Sequence, residues 1–321
     1  MTRSQITKPI AVFYEHQQWF LPLFAKLEER GIPYVRIDAR EHSYDPSAVE
    51  ENYSLFFNRM SASAYLRNHG NAIFYTLNYL AHLERSRVPI VNGRASFMIE
   101  TSKALQLSLF ERLGVLHPRS KVINTATEAS KAAQELRFPS LIKPNVGGRG
   151  AGIVRFDTPQ ALERAAHSGS LDLGVDQTAL VQEYVPARGG YIMRVEVLGG
   201  KFLYAIKVFT TGDNFNLCPA EFCQVGDGVA VLDEMCLVDA PASGLQVEAF
   251  TPQPDMIQTV ERVAEAAGID VGGVECLVDD RDGTLMYYDI NALSNFVADA
   301  ARVVGFDPYE QLVDYLIRRA A

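Results

Sequence analysis

Two stretches of this 321-residue chain carry side chains whose types and spacing could do chemistry. In the first, Leu141-Ile142-Lys143-Pro144-Asn145-Val146-Gly147-Gly148-Arg149-Gly150-Ala151-Gly152, an apolar run ends in a lysine and glycines follow at 147, 148, 150 and 152. Alternation then resumes at Ile153-Val154-Arg155-Phe156, so the segment reads as strand, glycine loop, strand. A dinucleotide fingerprint and a Walker A loop both need a helix whose N-terminus faces the phosphates. Here no helical pattern follows the loop and no Gly-Lys-Ser/Thr occurs. Glycines let backbone N–H groups close over an anion, and Lys143 adds a point charge from the preceding strand. The stretch reads as a lid over a nucleoside triphosphate, the alternative being a glycine hairpin with no ligand.

The second stretch is Glu275 with Asp289-Ile290-Asn291, in two strand patterns joined by Asp279-Asp280-Arg281-Asp282-Gly283, a strong turn signal. Paired as a hairpin, these strands set Glu275 opposite Asp289 to Asn291. Asp289 and Asn291, two apart, share a face. Three oxygen-bearing side chains converging in this way suit Mg2+, with Mn2+ as the alternative ion, because a hard cation fills the rest of its octahedron with water and phosphate. Taken singly, each of the three is also compatible with a solvated strand position.

The elements that must position these groups follow from the rest of the pattern. Pro9–Tyr14, Tyr34–Ile37, Ser54–Phe57 and Ile90–Asn92 read as strands, alternating with helical stretches at Trp19–Arg30 and Ala72–Glu84. That alternation predicts a small parallel sheet wrapped by helices, with its ligand edge at the C-terminal ends of the strands. Two loops lie there: Glu15-His16-Gln17-Gln18, where His16 is a weak proton-shuttle candidate, and Asn58-Arg59-Met60-Ser61, where Arg59 could fork onto a substrate carboxylate. Ser96–Gly114 reads as one long amphipathic helix, and further helices are predicted over Thr127–Arg137, Pro159–Ala166, Pro254–Gly268 and Tyr309–Arg318. Tyr191–Leu198, a Gly199-Gly200 turn and Lys201–Val208 form a hairpin, with Ile192, Arg194 and Glu196 on one face. The segment from Thr211 to Pro254 is loop-rich and the least legible.

Bulk composition narrows the classes. With 48% hydrophobic and 21% charged residues the chain is globular, and its length suits two or three lobes. A net charge of −9 argues against nucleic acid as a partner. No apolar run reaches the roughly 20 residues that span a bilayer, and Met1–Gln5 does not open a signal-peptide core. The expectation is a cytoplasmic protein without membrane attachment. Cys218, Cys223, Cys236 and Cys276 show no Cys-x-x-Cys spacing and read as reduced thiols.

Taken in order, the Lys143 glycine loop, Val181-Gln182-Glu183-Tyr184-Val185-Pro186, and Glu275 followed by Tyr288-Asp289-Ile290-Asn291 resemble the ATP-grasp superfamily, and most closely its RimK-like carboxylate–amine ligases. The resemblance runs from Arg94 to the end. It implies an α/β architecture: an N-terminal Rossmann-like pre-ATP-grasp domain (1–93), a central lobe with the glycine loop (94–186) and a C-terminal lobe with the metal site (187–321), the two lobes clasping ATP. It further implies that Lys103, Lys143, Arg194 and Lys207 bind phosphates, that Gly147, Gly148, Gly150 and Gly152 form the lid, and that Glu183, Tyr184 and Val185 hold the adenine. Glu275, Asp289 and Asn291 would hold the metal, and Ser294 and Asn295 would border the acceptor pocket. The family's pattern has an aspartate two residues before the arginine; this chain has Ile192 there, which leaves the ribose hydroxyls without an assigned carboxylate. The glycine pair that relatives carry beside the acceptor site is also missing.

The implied reaction is ATP-dependent: a substrate carboxylate takes the γ-phosphoryl group, and an amine displaces phosphate to give an amide or peptide bond. Small-molecule acids and amines, amino acids or peptides among them, are the expected substrates, and a homodimer the default assembly. A small-molecule kinase on the same clasp and a non-catalytic nucleotide-binding protein are the alternatives.

Overall fold

The structure is a computed structural model and describes residues 6–210 and 246–321. Met1–Gln5 and the stretch holding Cys218, Cys223 and Cys236, most of the region that was least legible in sequence, lie outside the described residues.

The N-terminal sheet is parallel, in the order β2-β1-β3-β4, from β1 (Ile10–Tyr14), β2 (Tyr34–Asp38), β3 (Leu55–Arg59) and β4 (Ile90–Val91). β1 and β3 are buried at every position, as expected of inner strands covered on both faces. The first helical stretch divides into a 3-10 turn (Gln17–Phe20) and α1 (Leu21–Glu29). Pro22 occupies the opening turn of α1, the place where a missing N–H costs no hydrogen bond. α2 (Gly70–Leu83) closes the other face.

The long helix expected over Ser96–Gly114 is two helices, α3 (Arg94–Glu100) and α4 (Lys103–Leu113). Ser102 breaks it: its backbone is extended and its Oγ accepts the Leu105 N–H at 3.2 Å, an N-cap that starts a new helix at Lys103. Leu109 and Phe110 of α4 pack in one core with Val260, Val263 and Ala264 of α7 (Pro254–Ala267). By packing, therefore, α4 sides with the C-terminal lobe, although in sequence it leads the central one. The central lobe itself is an antiparallel sheet, β5-β8-β6-β7, of β5 (Ser120–Ile123), β6 (Ser140–Pro144), β7 (Val154–Phe156) and β8 (Ala179–Glu183). The short α5 (Ala129–Ala133), which ends ahead of Pro139 and well short of the Arg137 expected, and α6 (Pro159–Ser168) cover it.

The C-terminal lobe is a five-stranded antiparallel sheet in the order β11-β10-β9-β12-β13, built from β9 (Tyr191–Leu198), β10 (Lys201–Phe209), β11 (Val247–Ala249), β12 (Val271–Val278) and β13 (Leu285–Asn291). One face packs on α7 and α4 through Met193, Val195, Val197 and Ala205. On the other, Ile192, Tyr204 and Ile206 share a core with Tyr14 and Phe20 of the N-terminal domain and with Leu312 and Leu316 of the last helix (Pro308–Ala320). Asn92, just past β4, rivets the two parts: its Nδ2 donates to Val271 O (2.7 Å) and Ala292 O (2.6 Å), and its Oδ1 accepts from Asp270 N (2.9 Å) and Val271 N (3.0 Å). Among the described residues no helix is long and apolar enough to cross a membrane.

Candidate active site

Strand register places two adjacent rows of side chains across the C-terminal sheet. Ile206, Arg194, Glu275 and Asp289 lie opposite one another along the first row. Tyr204, Glu196, Gly273 and Asn291 form the second. The predicted hairpin of β12 and β13 thus exists, with Glu275 paired directly to Asp289 and an irregularity just beyond. Gly273 serves a close approach, since a Cβ there would stand 3.0 Å from the Glu196 carboxyl group. The three oxygen-bearing side chains converge as the spacing predicts: Asn291 Nδ2 donates to Glu275 Oε1 at 3.3 Å, and Asp289 lies beside Glu275 in register.

The opposite wall comes from the segment around the glycine loop. Lys143 is the last residue but one of β6 and is 4% exposed, with its Nζ 5.5 Å from the centre of the Tyr288 ring. Lys103 opens α4 and donates to Asp289 Oδ1 at 2.9 Å. Asn145 ties the two lysine-bearing elements together. Its Oδ1 accepts from Ala104 N (2.9 Å) and Ser102 Oγ (3.1 Å), its backbone O accepts from Lys103 N (3.2 Å), and its Nδ2 donates to Asp176 (2.7 Å). The same asparagine that follows Lys143 therefore fixes the start of the helix that presents Lys103.

These groups line one cleft of about 370 Å³, within the ~300–1,000 Å³ usual for small-molecule sites. Gly147, Gly148 and Gly150 line it, and Gly148 sits against Ser63 of the N-terminal domain, where a Cβ would come to 3.1 Å from Ser63 Cβ. Burial pushes the two lysines unequally. It holds Lys143 down to about 8; for Lys103 burial is again the largest single influence, but the charge and hydrogen bond of Asp289 together with the charges of Glu100 and Glu275 outweigh it and lift the ammonium above its ordinary value. Burial also raises Glu275, with the neighbouring Asp289 charge adding to it; burial opposes the ionisation of Asp289 too, but Lys103 and Lys143 hold it below the usual carboxylate range. A carboxylate pair set against two lysines is chemically suited to a cation and phosphates.

Among the described residues no three His, Cys, Asp or Glu side chains gather around a point. The donors on the cleft wall are two carboxylates and one carboxamide, all oxygen. That set fits Mg2+, which needs few protein ligands and takes phosphate oxygens for the remainder.

At the other end of the cleft, Glu183, Tyr184 and Val185 line the wall where the central and C-terminal lobes meet. The Glu183 carboxylate is turned into the central lobe, accepting Arg137 N at 3.0 Å with Arg119 Nη1 at 3.5 Å, and the Tyr184 N–H donates to Pro139 O at 2.9 Å. Glu183 therefore does not fill the vacancy for a ribose ligand, and Ile192 lines the cleft instead.

Four expected site residues are placed elsewhere. Lys207 lies opposite Met193, one residue out of phase with Arg194, and its Nζ rests 4.5 Å from the Tyr191 ring centre on the far face of the sheet. A two-residue turn alone would pair Lys207 with Ile192 on the arginine's face, but the register slips by one between Phe202 and Tyr204 and reverses every residue beyond it. Gly152 is outside the cleft; its φ of +73° and a Cβ position 2.8 Å from Pro144 Cγ make it the residue that lets the loop fold back on β6. Arg59 is buried behind the wall and does not line the cleft, its Nη2 donating to Ser294 O and to Asn295 Oδ1 (3.1 Å) and its guanidinium lying 5.2 Å from the Phe20 ring centre, so it does not reach a substrate there. Ser294 is likewise buried, and only Asn295 of that pair reaches the cleft. His16 stacks on Trp19 at 4.4 Å, and burial pushes it down to about 4, neutral at ordinary pH.

The cleft also contains residues that sequence reasoning passed over. Glu100 accepts Ala292 N (2.6 Å) and Leu293 N (3.3 Å), holding the loop after Asn291 against α3. Trp19, Ser61 and Ser63 bring the N-terminal domain to the same cleft. Behind Ser63, Arg67 donates to both oxygens of the buried Glu15, from Nη2 at 2.6 Å and from Nε at 2.9 Å. Nothing in the local pattern marks these positions, since only the tertiary fold brings them to the lid.

Residues 100–218 match the family model described as a RimK-like ATP-grasp domain. A probable alpha-L-glutamate ligase of Mannheimia succiniciproducens is 23% identical over 242 residues, covering 75% of this chain and 72% of that protein. A shorter match, with a probable alpha-L-glutamate ligase of Teredinibacter turnerae (27% identical), spans 54% of this chain and 52% of the relative. Among solved structures, the ATP-grasp ligase PsnB in complex with a phosphomimetic precursor variant, Mg and ADP superposes with a TM-score of 0.65 at 17% identity, covering 98% of this chain and 99% of that one. The D-cycloserine synthetase DcsG gives 0.66 at 15% identity, covering 97% and 100%.

Proposed function

We propose that this chain, whose residues 100–218 match a RimK-like ATP-grasp domain, is an ATP-dependent carboxylate–amine ligase whose outer-phosphate site is the Lys103–Lys143–Asp289 cleft. The observation that carries the proposal is the meeting, in one cleft, of Lys143 from the glycine-loop side, Lys103 from the start of α4 and three oxygen ligands from the β12–β13 hairpin.

The substrate carboxylate attacks the γ-phosphorus of ATP; the bond to the β-γ bridging oxygen breaks, and an acyl phosphate and ADP form. The amine nitrogen then attacks the acyl carbon, phosphate leaves with the bonding pair, and the nitrogen loses a proton as the amide forms. Lys143 and Arg194 bind and orient the phosphates, a contribution of position and charge rather than covalent chemistry. Lys103, which pairs with Asp289, is placed to shift onto phosphate oxygens. Glu275, Asp289 and Asn291 would hold Mg2+. When bound there, the ion neutralises charge on the outer phosphates. Gly147, Gly150 and Gly148, the last seated on Ser63, exclude water from the acyl phosphate. Glu183 to Val185 wall the base. Amino acids or peptides are the substrate class we expect, in keeping with the glutamate and precursor peptide named for relatives.

Incubation with Mg-ATP and paired acids and amines tests this. Release of ADP and phosphate that requires both partners is the expected result. AMP in place of ADP points to adenylation, a phosphorylated hydroxyl product to a kinase, and no turnover with any pair to a nucleotide-binding protein; each defeats the ligase reading.

A further inference from the structure

Beneath Arg194 lies a charged network in which the proposed chemistry employs only the arginine and Glu275. Arg194 uses all three nitrogens: Nε donates to Glu196 Oε1 at 2.6 Å, Nη1 to Glu275 Oε1 at 3.3 Å and Nη2 to Ser294 Oγ at 3.4 Å. Glu196 is 1% exposed and does not line the cleft, whereas Arg194 does. Its shortest contact is therefore with the arginine, and its row neighbour is Gly273, the residue without a side chain that leaves the carboxylate its space. From the N-terminal sheet, Arg59 reaches the same group by holding the Ser294 carbonyl and the Asn295 side chain. Among the described residues, Glu196 Oε2 and Arg59 Nε and Nη1 are buried without a hydrogen-bond partner. Two guanidinium groups thus sit with two carboxylates, Glu196 and Glu275, in one buried block, and each unmatched atom is costly enough that packing alone would not retain it.

We propose that Glu196 is a positioning residue of the nucleotide site, fixing the Arg194 guanidinium toward the outer phosphates, with Arg59 bracing the loop that completes the hold. An arginine on a strand has four rotatable side-chain bonds. Left with Glu275 as its one carboxylate, Arg194 would settle on that metal ligand and be drawn from the phosphates. Glu196 takes Nε from behind, which leaves Nη1 on the cleft side, beside Glu275. The inference rests on the reading that the triphosphate's outer phosphates lie at Arg194, but it does not need turnover to be tested.

The measurement is equilibrium binding, with Mg2+, of a non-hydrolysable ATP analogue and of ADP to wild type and to Glu196→Gln, with the thermal midpoint of each. Binding of the triphosphate analogue should weaken at least fivefold while ADP stays within twofold, because only the triphosphate carries the group that Arg194 faces. Equal affinities in both proteins, or parallel losses for both nucleotides, would overturn the assignment. Should Glu196→Gln not fold, Glu196→Asp, which keeps the charge and retracts it by one methylene, gives the same comparison. In an Arg194→Ala background Glu196→Gln should leave the ratio of the two affinities unchanged, and a further fall would show that Glu196 does not act through the arginine. A lowered ratio in a protein that ligates nothing would remove the ligase reading and keep this one; ligation with an unaltered ratio would do the reverse.

Discussion

Raising the pH from 7 to 9 should weaken Mg-nucleotide binding about tenfold, through one side chain. Lys143 is held down to about 8 by burial, and the like charge of Lys103 helps, against the pull of Asp289 and Glu275. At that value about 90% of the lysine is charged at pH 7 and about 10% at pH 9, so affinity that follows the charged form drops roughly tenfold, ~1.4 kcal/mol. Lys103 does not obscure the effect, because Asp289 lifts it above its ordinary value against burial. Nor does the nucleotide, whose last phosphate ionisation lies near pH ~6. The sign reverses for the stability of the empty protein. The folded pKa of Lys143 lies below the ordinary 10.5, so between about pH 8 and 10.5 the unfolded chain binds more protons and stability rises with pH, by up to roughly 3 kcal/mol. Calorimetric titration of wild type and Lys143→Met from pH 7 to 9.5 is the assay. Wild type should lose affinity across the window and take up about half a proton per nucleotide bound near pH ~8, while the variant binds weakly and flatly. A flat wild-type profile, or a slope that survives in Lys143→Met, would refute the reasoning.

Asp289→Ala and Asn291→Ala should each cut ADP formation more than tenfold, at least ~1.4 kcal/mol of transition-state stabilisation; near-normal rates in both would remove the metal assignment. Gly148→Val should impair turnover with little change in thermal midpoint, since the added side chain meets Ser63 Cβ at the lid and not a core; a large fall in midpoint would make Gly148 a structural turn residue. Asn92→Ala should lower stability by at least ~2 kcal/mol, because it strands the Asp270 and Val271 N–H groups and two carbonyls in a buried junction. An unchanged denaturation midpoint would show that water replaces the amide.

What the sequence made legible was local. The Asp279–Gly283 turn and the two-residue spacing of Asp289 and Asn291 were enough to place Glu275 opposite them, because a tight hairpin leaves little freedom of register. Lys207, given to the phosphates by resemblance and not by spacing, falls on the far face because one irregular residue near Leu203 turns the strand over. Ser102 hid inside an apolar pattern that continues on both sides of it, so the helix break that sets Lys103 at an N-terminus was not visible from periodicity. Arg59 was read as free for substrate because its partners, Ser294 and Asn295, stand more than 230 residues along the chain. Glu100, Trp19 and Ser63 were missed for a similar reason: the contacts that bring them to the cleft cross between separate elements, and no local spacing encodes those.

An activated acyl group is the species that separates a ligase from every other reading of this cleft, and hydroxylamine traps it without the natural amine. With Mg-ATP, hydroxylamine and a panel of carboxylic acids, the protein should form a hydroxamate and ADP in equal amounts with at least one acid, and Lys143→Met should lose both products together. AMP in place of ADP, or ADP released with no hydroxamate from any acid, would contradict acyl-phosphate chemistry at this site.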